Sequence, residues 1–324
     1  MKQFFPCLAT WFNRTAINQM KTPTFPALII ALAGTIFFAN AQTNEMPSVV
    51  EPGATVQKLA GGFAFTEGPS CDANGNVFFT DQPNNRIMEW SVDSKLSTFK
   101  QPAGRANGMY FDAKGNLIAC ADEKTALWSI TPEGGVTVLV DQYDGKRLNG
   151  PNDVWVRPDH GMYLTDPFYA RPWWDYKERP QDVEAVYYLS PDRKTFKRVI
   201  TDFQKPNGII GTPDGKSLFV ADIQGRKTFG YDIQPDGSLT NKRQVATSGS
   251  DGMTIDSEGN LYLTAGHGVH VFDSKTAQSL GVIPFPEMPA NVCFGGKDKK
   301  TLFVCARTGF YSIRMKFRGA NQSK

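Results

Sequence analysis

Apolar residues along this chain come in short paired runs rather than in helical stripes. In Asn152–Asp166 (N-D-V-W-V-R-P-D-H-G-M-Y-L-T-D) a polar residue opens a short apolar strand, a tight turn follows, and a second apolar strand ends in Thr-Asp. The same unit opens at Glu67, Asn107, Asn207, Asp251 and Asn291, so six copies are each led by an oxygen-bearing side chain. The leaders are separated by 40, 45, 55, 44 and 40 positions, the size of a four-stranded propeller blade. Eight residues after the leader stands Gly75, Gly115, Gly215 or Gly259, where a hairpin needs positive φ. His160 and Lys299 take that place in the third and sixth copies.

Third and fourth strands follow most copies, as in Arg86–Ser91 with Leu96–Lys100 and Ala185–Leu189 with Phe196–Ile200. The sixth copy ends after Gly309–Met315. Its outer strand is expected from Thr55–Leu59, which joins the termini and removes an open sheet edge. The pattern predicts an all-β six-bladed propeller, four antiparallel strands to a blade around a central channel, as one domain over residues 42–324. If the leaders open the innermost strands at one face, the second strands return Asp81, Asp122, Asp166, Asp222, His267 and Arg307 to it. The long loop Pro167–Glu184 falls there too, with Phe168, Tyr169, Trp173, Trp174 and Tyr176. Two readings of that loop stay open: a lid over a pocket, or an apolar patch packed on a neighbouring blade.

A formal net charge of +3 over 324 residues excludes an electrostatic footprint for nucleic acid. Three histidines and five cysteines leave little for zinc or iron, and abundant carboxylates and amides favour a hard, oxygen-liganded cation. Residues 1–41 read as an export signal: Met20-Lys21, the apolar run Phe25–Phe38, then Ala39-Asn40-Ala41. Met20 is an alternative start. Cleavage after Ala41 would deliver a periplasmic or secreted protein without a membrane anchor. Cys71, Cys120, Cys293 and Cys305 lie in or beside apolar strands and read as buried thiols; the pair weighed against that is Cys293–Cys305.

The segments T-E-G-P at 66–69, K-R-L-N-G-P-N-D-V at 146–154 and Y-L-T-D-P at 163–167 stand in order with K-P-N-G-I at 205–209, S-D-G-M at 250–253 and C-F-G-G-K-D at 293–298. Together they resemble the family of gluconolactonases, regucalcin (senescence marker protein) and related lactonases, most closely the bacterial gluconolactonases. The resemblance implies a calcium ion in the channel, or zinc, magnesium or manganese in its place. Carried over by motif, its ligands are Glu67, Asn152, Asn207 and Asp251. Two carboxylates would balance a divalent charge, and two amide oxygens complete a hard set.

The expected activity is opening of a sugar lactone such as D-glucono-1,5-lactone to the aldonic acid. Asp251 is the first candidate for the base and His267 the second; the competing reading of His267 is an exposed loop residue. Arg105, Asn107, Asp166, Tyr169, Trp173 and Trp174 are candidates for holding the substrate. For Asn107 a channel-lining role stands beside that one, and for Asp166 turn capping does. Two alternatives remain: a broad lactonase or phosphotriesterase, and a non-catalytic calcium-stabilised propeller that binds a ligand. No obligate protein partner is expected.

Overall fold

The computed structural model describes residues 46–320; the leader expected over residues 1–41 lies outside the described residues. Six four-stranded antiparallel sheets form a six-bladed propeller. Their innermost strands are Thr66–Cys71, Ala106–Phe111, Val154–Val156, Pro206–Gly211, Met253–Ile255 and Pro289–Gly295, which we number as blades 1 to 6. Blade 6 is completed from the other end of the chain: Gln57–Gly61 pairs with Gly309–Arg314, Gln57 opposite Ser312 and Gly61 opposite Gly309. The closing strand therefore begins two residues later than Thr55. A small ribbon, Gln142–Tyr143 with Lys146–Arg147, stands before blade 3 and has no hydrophobic alternation to reveal it.

The repeated hairpin turn behaves as its spacing predicts. All six residues eight places after a leader have positive φ: Gly75 98°, Gly115 81°, His160 72°, Gly215 71°, Gly259 90° and Lys299 60°. In blades 1, 2 and 5 an Asp four residues before an Asn clasps it: Asp72–Asn76, Asp112–Asn116 and Asp256–Asn260 each join through backbone and side-chain amides at 2.8–3.0 Å. A carboxylate that fixes the turn locally sets the hairpin register without tertiary help.

Aromatic side chains fill the seams between blades. Phe79 of blade 1 stacks on Phe310 of blade 6 at 4.2 Å between centroids. Trp155, Tyr163 and Tyr188 of blade 3 pack with Ile209, Phe219 and Tyr231 of blade 4. The Tyr163 hydroxyl donates to the Gly237 carbonyl at 2.9 Å, so its buried polar tip is satisfied. All four described cysteines are free and buried. Cys293 faces Phe303 and Cys305 faces Asn291 across the ladder, so the weighed disulfide does not form.

Candidate active site

The six leaders ring the channel because glycine lets adjacent inner strands meet. A Cβ on Gly68 would stand 2.0 Å from the Asn107 carbonyl oxygen, and one on Gly252 2.0 Å from Asn291 Cγ. The Gly108 amide donates to the Asn152 carbonyl at 2.7 Å, and Gly208 to Ser250 at 3.3 Å. Bulges between Glu67 and Ser70, Ala106 and Met109, Pro206 and Ile209, and Pro289 and Asn291 interrupt four inner strands at the leader. A bulge re-aims a side chain out of the ladder, and here it does so at the ring.

Glycine follows the leader in four blades; blade 6 has Val292 and blade 3 has Asp153. The Asp153 carboxylate fills the space over Gly108, whose Cβ would lie 1.9 Å from Asp153 Oδ1. Asp153 was not among the residues expected at the site. Its signal was there to read, an acid at a ring position otherwise given to glycine.

Three acids thus share the channel. Asn291 Nδ2 donates to Glu67 Oε2 at 3.0 Å and to both Asp153 oxygens at 3.2 and 3.1 Å. Glu67 Oε2 also accepts from the Gly68 amide at 2.6 Å. Burial, reinforced by the Asp251 charge, pushes Glu67 up to about 8. Burial drives Asp153 far above the usual carboxylate range, with Glu67 and Asp251 adding to it. Asp251, half-buried at the ring, is raised by burial to about 6. Asn207 Nδ2 donates to Asp251 Oδ1 at 2.8 Å and to the Tyr169 hydroxyl at 3.0 Å. Below the ring a cavity of about 40 Å³ continues between the inner strands, bordered by Asp153, Asn291 and Thr254, roomy enough for water.

Among the described residues, Asn207 Oδ1 and Asn107 Oδ1 in the ring are buried and have no donor. A buried acceptor left unpaired costs about 1–3 kcal/mol, unless something that is not protein meets it. With Asn207 Nδ2 engaged twice, its oxygen is the end left for a cation. This donor set fits a hard divalent ion. It is not a cluster of acids alone: among the described residues no group of three or more His, Cys, Asp or Glu side chains forms a metal site.

The loop after Asp166 lies across the mouth. From blade 3 it touches the blade 4 leader through Tyr169 and reaches Asp122 at the end of a blade 2 strand. Asp122 holds it three times: Arg171 Nε at 3.2–3.3 Å, Trp173 Nε1 at 3.1 Å, and Trp174 Nε1 on the Asp122 carbonyl at 3.1 Å. Lys205 fixes the near end, donating to the Phe168 carbonyl at 2.9 Å and lying 4.5 Å from the Tyr169 ring centre. Part of the loop meets the packed-patch reading. Phe168, Trp174 and Tyr176 form the packed patch, with Trp174 and Tyr176 stacked at 5.1 Å. Tyr169 and Trp173 stay partly exposed.

Several expected substrate contacts are structural. Asp166 Oδ2 and Oδ1 accept the Asn149 and Gly150 amides at 2.9 and 2.8 Å, so its carboxylate is a strut under the approach to Asn152. Asp81 takes Ala64 and Phe65 in the same way, and Asp222 takes Gln204 and Lys205. Trp174 is buried beneath the loop, not presented to the channel. Arg105 stacks on Trp173 with its guanidinium 4.7 Å from the ring centre. His267 sits exposed on the turn between Asn260–Ala265 and Gly268–Asp273 and makes no side-chain hydrogen bond to the described acids.

The sequence profile of the SMP-30/Gluconolactonase/LRE-like region matches residues 65–308, from just before the first leader to the last blade. The chain belongs to that family. The gluconolactonase of Zymomonas mobilis is 28% identical over 305 residues, covering 85% of each chain. A solved gluconolactonase from Xanthomonas campestris superposes with a TM-score of 0.77 at 27% identity, over 82% of this chain and 91% of that one. A solved calcium-binding protein, regucalcin, from Agrobacterium tumefaciens shares the fold (TM-score 0.68, 16% identity, 83% and 97% covered). For this member of the gluconolactonase family, Glu67, Asn152, Asn207 and Asp251 stand in one ring. The fold adds Asp153 and Arg171, and gives roles to the leader Asn291 and to Asp122.

Proposed function

We propose that the protein opens a sugar lactone of the D-glucono-1,5-lactone type to its aldonic acid, with a divalent cation, calcium first, bound at the channel ring. It is a lactonase-type hydrolase of the gluconolactonase family. The observation that carries the finer reading is the Asn207 carbonyl oxygen, buried without a donor beside Asp251 and in one ring with Glu67 and Asn152. Those four residues would hold the ion, which supplies Lewis-acid stabilisation of the oxyanion.

The chain's own residues do the rest. Asp251 Oδ1 is occupied by Asn207, and Oδ2 has no donor among the described residues. Burial raises this carboxyl, and its free oxygen is the base that takes a proton from the attacking water. The water oxygen bonds to the lactone carbonyl carbon, the ring C–O bond breaks, and the alkoxide takes up a proton to become a hydroxyl. Asp153, held by Asn291 beside Glu67, keeps a proton close to the ring near neutrality. Tyr169 and Trp173 stay partly exposed with Arg171 over both rings, so they would meet a substrate together with that cation.

Export to the periplasm accords with a step on sugars oxidised outside the inner membrane. The test is acid release from a panel of lactones with calcium, zinc, magnesium or manganese, and with chelator. Turnover of a gluconolactone that stops with chelator and is lost in Asn207→Ala supports the reading. Cation-dependent stabilisation with no lactone hydrolysed would move the protein to the binding class instead.

A further inference from the structure

Asp122 departs from its counterparts. Asp81, Asp166 and Asp222 each accept two successive backbone amides ahead of a leader, Asp81 on Oδ1 alone because its Oδ2 is held by Arg86 and Asn84. In blade 2 that work passes to Asn85, whose Oδ1 accepts the Ala103 and Arg105 amides at 2.9 and 2.8 Å. The freed Asp122 carboxylate, buried, is turned to Arg171 and Trp173 instead.

Arg171 is then presented in one orientation. Its Nε is tied to Asp122, and its guanidinium lies 5.6 and 5.5 Å from the Tyr169 and Trp173 ring centres. Neither Nη group has a protein acceptor among the described residues, and the side chain keeps 20% exposure. Arg171 nonetheless stands near enough to the ring for its charge to act on Glu67 and Asp251, which it does not touch. A planar guanidinium anchored through Nε offers its Nη edge to a two-oxygen anion. Arg105, on the same Trp173 ring, adds positive charge beside it.

We propose that Arg171 determines specificity: its Nη edge binds an anionic substituent, carboxylate or phosphate, carried by the lactone, so that the site prefers acidic lactones to neutral ones of the same ring. Asp122 is its positioning residue. The proposal rests on the lactonase reading.

The test compares D-glucono-1,5-lactone with its 6-phosphate and its 6-carboxylate analogue in the wild type, Arg171→Gln and Asp122→Asn, each with its fold verified by circular dichroism. The wild type should favour at least one anionic lactone by about tenfold or more in kcat/KM, as expected for a charge-assisted bidentate contact. Which one it favours separates phosphate from carboxylate recognition. Arg171→Gln should erase that preference through KM, costing the anionic lactone about tenfold more than the neutral one. Asp122→Asn should lose part of it in the same direction. A wild type that prefers the neutral lactone, or an Arg171→Gln that harms both equally, overturns the proposal. Calorimetric binding of the open-chain acids gives a readout without turnover. If no lactone is hydrolysed but the doubly anionic acids still bind better through Arg171, the lactonase reading falls and the anion site stands. Hydrolysis without any anionic preference gives the reverse.

Discussion

Replacing Asn291 by alanine tests the acid ring directly. Its Nδ2 group is the shared donor between Glu67 and Asp153, at 3.0 Å from one and 3.1–3.2 Å from the other. A hydrogen bond to an ionised group contributes about 1.5–3 kcal/mol, a neutral one about 1. Losing one contact to Glu67 and one to Asp153 should cost about 2 kcal/mol while both are protonated, and about 2.5–4 kcal/mol once Glu67 is ionised. Glu67 is raised to about 8, so the change should be read between pH 6 and pH 9. The sign follows from linkage. A carboxyl whose folded pKa lies above its unfolded value loses stability as pH rises through that interval. Asn291→Ala raises both folded values further, so the variant should weaken more steeply with pH than the wild type. Urea denaturation with chelator present, at pH 6 and pH 9, gives the two differences. An equal loss at both pH values would refute the reasoning, because the donor would not be serving charged acceptors.

Calcium affinity should rise as pH climbs from about 6 to 8, where Asp251 and Glu67 give up their protons. Titration calorimetry in buffers of different ionisation enthalpy should show proton release on binding, and a pH-independent affinity without it would contradict the site. Asn207→Ala should abolish the calcium-induced rise in Tm, because the unpaired oxygen is removed; a retained rise places the ion elsewhere. Gly252→Ala puts a Cβ 2.0 Å from Asn291 Cγ, whereas Gly115→Ala meets nothing within 4 Å and is strained only through φ 81°. The first should cost several-fold more stability than the second's about 1 kcal/mol, measured by denaturant midpoint.

Much of the fold was legible because a propeller repeats its instructions. Leader, turn residue and returning strand recur at fixed spacing, and even His160 and Lys299 take the positive φ that glycine holds elsewhere. The ring was legible for the same reason, since equivalent positions in six blades must face one channel. What stayed hidden depends on contacts between blades. Nothing local distinguishes Asp122, which holds a loop from blade 3, from Asp222, which caps its own blade. Asp166 misled because a strand-end carboxylate beside a long loop looks the same whether it meets a ligand or two backbone amides. His267 misled in the opposite way: its strand-end position is correct, and its side chain is in solvent.

The same geometry explains why so awkward a ring persists. Glu67, Asp153 and Asp251 are brought together with the Asn291 amide shared by the first two, the Gly68 and Asn207 amides on Glu67 and Asp251, and no direct cation contact among the described residues. An apolar ring of similar shape would be more stable, since buried charges seldom repay their desolvation. The surrounding sheets tolerate the arrangement because each blade is closed by its own turns and seams, leaving the inner ends free to carry strain. The loop then makes the ring selective. It brings no neutralising contact to the acids; it holds Arg171 at a distance, anchored to an acid of its own. A residue meant only to balance the ring would touch it. One held apart, with its outer nitrogens open, leaves room between the two charges for a ligand that has something to offer both.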